Sequence, residues 1–61
     1  MNKERRAKLR KITDTLQEII DEETEAFDNI PESLQNSDKG QETEEGLSEL
    51  SEAYELLKQR L

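Results

Sequence analysis

The sequence predicts an all-α protein, an antiparallel helical hairpin that assembles into a homo-oligomeric helical bundle. Three observations lead there. Apolar residues recur at helical spacing in two separate segments. A connector rich in turn-forming residues lies between them. Finally, the chain has 61 residues and neither cysteine nor histidine, so no disulfide or ordinary zinc site can staple so small a core, and association is the remaining route to stability.

In the first segment the apolar residues fall at Leu9, Ile12, Leu16, Ile19 and Ile20 and resume at Ala26 and Phe27, steps of three and four that describe one helical stripe interrupted by Glu23. The first helix is predicted over about residues 2–28, because Pro31 disfavours helical geometry at Ile30 and because Asp28 and Asn29 are good turn formers. Residues 29–37, with Pro31, Ser33, Asn36 and Ser37, read as an ordered loop in which Pro31 and Glu32 can open a single helical turn through Leu34. Ser37 or Asp38 then caps a second helix over about residues 38–61. There Leu47, Leu50, Tyr54, Leu57 and Leu61 step by three and four as a strict heptad seam.

At about 1.5 Å per residue the two helices are matched in length, and a turn near Ser33 and Leu34 makes residues whose numbers sum to about 67 face each other. Ile20 then lies near Leu47, Leu16 near Leu50, and Ile12 near Tyr54. Gly46 sits beside this contact, either tolerated at about 1 kcal/mol relative to alanine or permitting a close helix approach. Ala53 and Leu56 widen the second stripe, which suits a helix with more than one neighbour. Two facing stripes leave apolar surface uncovered, and an exposed leucine or isoleucine forfeits roughly 1.5–3 kcal/mol of burial. The expected core of the oligomer, a four-helix dimer or a higher closed assembly, comprises Leu9, Ile12, Leu16, Ile19, Ile20 and Phe27 with Leu47, Leu50, Tyr54, Leu57 and Leu61.

Charge is segregated along the chain, whose net charge is -7. Residues 1–11 carry Lys3, Arg5, Arg6, Lys8, Arg10 and Lys11 against the single Glu4, whereas residues 12–38 carry nine acids and neither lysine nor arginine. In an antiparallel hairpin Lys58 and Arg60 join the first cluster, giving a basic pole above an acidic waist. Cations at a helix start oppose the helix dipole, so helix stability does not explain the cluster. One explanation is assembly, the basic pole of one copy lying against the acidic waist of another. The other is an anionic ligand such as a nucleotide or phosphate group, held by Arg5, Arg6, Lys8, Arg10, Lys58 and Arg60 with Tyr54 against a base. Tyr54 serves equally as core packing. The net charge disfavours duplex DNA, which would also meet the acidic waist.

Nothing in the sequence calls for catalysis, a metal or a cofactor. The abundant carboxylates lack a pocket to hold and tune them. An EF-hand built on Gly40 would need Gln35, Ser37 and Lys39 as ligands. No apolar run approaches the length of a membrane span, and the basic start leads into an amphipathic stretch, so a cytoplasmic protein is expected.

The stretch EAFDNIPESLQ, residues Glu25 to Gln35, preceded by KERRAKLRK and followed by NSDKGQ, resembles a family of small phage and prophage proteins of Gram-positive bacteria that look like helical hairpins joined by this loop. The resemblance spans most of the chain, with Gln41 standing where a glutamate is expected. It implies a non-enzymatic accessory role in host takeover or anti-defence, carried out by stoichiometric binding in the host cytoplasm. In size and architecture, though in no sequence motif, the chain is also similar to the oligomeric sponges that sequester cyclic-nucleotide signals of the CBASS and Thoeris systems. A host protein captured by the acidic face or by residues 28–40 is the alternative partner.

Overall fold

A computed structural model describes residues 1–61. It contains three helices and no strand: α1 (Lys3–Asp28), α2 (Glu32–Gln35) and α3 (Asp38–Lys58). α1 begins where Asn2 Oδ1 accepts a hydrogen bond from the Arg5 N–H at 2.8 Å, so a side chain satisfies one of the orphan amides of the first turn. It ends at Asp28, where the Asn29 N–H still donates to the Glu25 carbonyl at 3.1 Å before Pro31 redirects the chain.

Pro31 lacks an N–H to lose and takes the cap position of α2, and its carbonyl accepts from the Leu34 N–H at 2.7 Å. Gln35 folds back, its Nε2 donating to the Ile30 carbonyl at 3.1 Å. The connector is therefore an ordered single turn tied at both ends. Ser37 opens α3: its Oγ accepts from the Gly40 N–H at 3.3 Å, and its carbonyl accepts from the Gln41 N–H at 2.9 Å. α3 ends at Lys58, and Gln59 and Arg60 form a turn whose amides donate to the Glu55 and Leu57 carbonyls at 3.2 and 3.0 Å.

α1 packs against α3, and α2 packs against α3 as well. The molecule measures 48 × 15 × 12 Å. Helices of 26 and 21 residues would span roughly 70 Å end to end at about 1.5 Å per residue. They lie side by side instead. Leu9, Leu16, Ile20 and Phe27 of α1 and Leu47, Leu50, Tyr54 and Leu57 of α3 are half-buried, the pattern of a seam between two helices.

The seam is unfinished. No hydrophobic side chain is fully buried, and the one fully buried polar side chain is Thr13, at 2% exposure. Its hydroxyl donates to the Leu9 carbonyl at 2.7 Å, which lets a polar group sit in the helix contact without an orphaned proton. Spacing assigns Ile12 to the stripe opposite Tyr54, but Ile12 is 59% exposed and its neighbour Thr13 takes the inward position. Ile19 is likewise exposed, as are Leu56 and Leu61. No helix is long and apolar enough to cross a membrane.

Candidate functional site

Two kinds of surface bear on function, one apolar and one charged. Ile12, Thr15, Leu16 and Ile19 line a shallow groove along α1 together with Lys11. Leu16 is shared, half-buried in the seam on one side and open to this groove on the other. The expected oligomer-core residues therefore divide. Leu9, Leu16, Ile20, Phe27, Leu47, Leu50, Tyr54 and Leu57 are drawn into the intrachain seam, whereas Ile12, Ile19 and Leu61 remain on the outside.

The cations stand on the helix ends. Arg5, Arg6, Lys8 and Arg10 occupy the first turns of α1 and are exposed. Lys8 Nζ lies 4.0 Å from Glu4 Oε1, the sole ion pair within that distance in the molecule. Both partners are exposed, so the pair contributes little. Arg6 Nη2 donates to the Met1 carbonyl at 3.5 Å. Arg5, Arg10 and Arg60 have no carboxylate within reach, and their guanidinium groups are open to an anion.

Tyr54 is half-buried, and Lys58 Nζ stands 5.3 Å from its ring centroid, a cation–π contact one turn along α3. The ring is thus held between the seam and a cation of its own chain. The acids of α3 are arranged differently. Glu44, Glu45 and Glu49 are exposed without a cation partner and line open surface with Gln41 and Ser48. On another side Glu23 and Glu42 flank Lys39 in a groove floored by Gly46, Leu47 and Leu50. No group of three acidic side chains converges to hold a metal ion.

Two features escaped the apolar spacing because neither is apolar. Thr13 occupies a seam position as a polar residue, and its signal is the step from Leu9 to Thr13 to Leu16 to Ile20, the same alternation of four and three that α3 shows. Gly40 is buried against the Gln35 backbone. No protein-family model, curated protein or solved structure matches the chain.

Proposed function

We propose that the chain is an antiparallel helical hairpin whose copies associate into a homo-oligomeric bundle, and that the bundle acts by stoichiometric binding without chemistry. One observation carries this reading: no hydrophobic side chain is fully buried within a single chain, while Ile12, Ile19, Leu56 and Leu61 stand exposed on an otherwise strongly charged surface. Side-by-side packing across a connector as short as residues 29–37 supports the antiparallel sense, as does the position of Glu23, late in α1, beside Lys39 and Glu42, early in α3. The antiparallel sense brings Lys58 and Arg60 to the Arg5–Arg10 end and forms a basic pole.

The ligand class this pole favours is an anionic nucleotide. Unpaired guanidinium groups on adjacent turns grip phosphate in two contacts each, and charge-assisted bonds of this kind are about twice as strong as neutral ones. Together with the resemblance to small phage proteins, this supports sequestration of a nucleotide immune signal in the host cytoplasm. Calorimetry with cyclic di- and trinucleotides and ADP-ribose derivatives tests it. A saturable heat that weakens about tenfold or more in Arg6→Glu and in Arg10→Glu is expected, since a bond to a charged group is worth about 1.5–3 kcal/mol. Absence of heat with every probe removes the nucleotide.

The unpaired carboxylates of Glu44, Glu45 and Glu49 favour a second reading, capture of a basic host protein on the outer face of α3. Charge reversal at Glu44, Glu45 and Glu49 should release any partner retained from a host lysate. Retention of every partner after that change shifts the contact to residues 28–40.

A further inference from the structure

We infer that the strip Ile12, Leu16 and Ile19 is where a second copy of this chain docks, α1 against α1 about a two-fold axis, with Lys8 of each copy against Glu23 of the other. The inference rests on the oligomeric reading above and specifies its contact surface and its orientation. Ile12 and Ile19 are 59% and 43% exposed and line one groove with Thr15 and Leu16, edged by Lys11. Covering them removes apolar surface from water, which favours association.

Charge along the same face selects the occupant. At about 100° per residue, Arg5, Lys8, Leu16, Ile19 and Glu23 all lie within about 40° of Ile12 around the helix. Ala26 lies on the same face, which read along α1 therefore runs from two cations through Ile12, Leu16 and Ile19 to one carboxylate and then Ala26. Such a face complements a copy of itself only when the copy runs the opposite way, since a parallel copy sets Lys8 against Lys8 and Glu23 against Glu23. With the axis between Thr15 and Leu16, residues whose numbers sum to about 31 oppose each other, so Ile12 meets Ile19 and Lys8 meets Glu23 at both ends, the reciprocity of an isologous contact. Glu23 is exposed at the edge of the groove it shares with Lys39 and Glu42 and forms no ion pair within 4.0 Å, and Lys8 holds only the exposed Glu4 at 4.0 Å. Neither is committed to a close partner in its own chain. Arg6 and Arg10 lie roughly 120° and 160° around the helix from Ile12 and stay clear of the contact. The basic segment is thereby divided, Arg5 and Lys8 facing the second copy and Arg6 and Arg10 left for a ligand.

The chain has no cysteine, so single introduced cysteines report the orientation under mild oxidation. Thr15→Cys, beside the axis, should yield a disulfide-linked dimer. Lys8→Cys should not link to itself, because the two copies of that position lie roughly 22 Å apart along the helices, but it should link to Glu23→Cys when the two variants are mixed. Self-linking of Lys8→Cys, whether or not Thr15→Cys links, would overturn the antiparallel arrangement. In sedimentation, Ile12→Asp with Ile19→Asp should reduce the mass to the 7.1 kDa of one chain, with helical content followed by circular dichroism. An unchanged oligomer in that variant, with no crosslink at Thr15→Cys, overturns this interface while leaving the oligomeric reading intact. A wild-type mass of 7.1 kDa at every concentration overturns both.

Discussion

Gly40 lies so close to Gln35 that a Cβ built on it would stand 2.7 Å from the Gln35 carbonyl carbon and closer still to the carbonyl oxygen. The first turn of α3 is thus pressed onto the last residue of α2. No residue of the chain has a positive φ, so lack of space, and not backbone conformation, is what requires glycine at this position.

Gly40→Ala should therefore lower the thermal midpoint, with a loss of about 1–3 kcal/mol, because backbone cannot yield as a flexible side chain would. Gly46 offers the contrast: nothing in its chain lies within 4 Å of a Cβ built there. Gly46→Ala should stabilise by roughly 0.5–1 kcal/mol through the reduced freedom of the unfolded chain. Thermal unfolding of both variants at one protein concentration reads the difference. A loss at Gly46 would mean that another molecule fills that space.

Thr13 is packed like a core residue while carrying a hydroxyl. Thr13→Val preserves the shape, and the Leu9 carbonyl keeps its place in the helix, so the change should fall within about 1 kcal/mol of wild type. Thr13→Glu places a charge where 2% of the residue meets solvent and should abolish cooperative unfolding, since an unpaired buried charge costs several kcal/mol and chains of this size are marginally stable. Circular dichroism melts separate the two. Equal tolerance of Val and Glu would remove Thr13 from the seam.

The Ser37 cap is a separate contribution. Ser37→Ala leaves the Gly40 N–H without its side-chain acceptor and should cost about 1 kcal/mol. Amide exchange should quicken first in the opening turn of α3. Uniform quickening throughout the chain would indicate that the cap is coupled to global unfolding.

Cohesion and charge separate under salt. Leu50, half-buried in the seam, should not tolerate Leu50→Glu, and assembly should be lost with it. Raising the ionic strength to about 1 M shortens the screening length to about 3 Å. It should weaken association only partly if apolar contact holds the copies together and charge sets their direction. Complete dissociation in salt would assign the cohesion to the charged groups.

The second helix was the more legible of the two. Leu47, Leu50, Tyr54 and Leu57 are unambiguous because few other apolar residues compete with them, and Pro31 and Ser37 mark the connector by chemistry that depends on no distant contact. α1 was harder because it carries two apolar faces side by side. Leu9, Leu16, Ile20 and Phe27 turn inward, Ile12 and Ile19 turn outward, and spacing alone merges them into one broad stripe. The inward face is completed by a threonine, which a search for apolar residues passes over. Glu23 interrupts the apolar stripe in the sequence, and in the fold it stands at the edge of the groove between α1 and α3 with Lys39 and Glu42. The basic cluster was legible as charge.

Sedimentation equilibrium over a wide concentration range, paired with thermal melts on the same samples, tests most directly whether this core is completed by further copies. The account predicts a mass at least twice the 7.1 kDa chain and a melting midpoint that climbs with protein concentration, as mass action requires. A mass of 7.1 kDa throughout, with a cooperative melt independent of concentration, would contradict it.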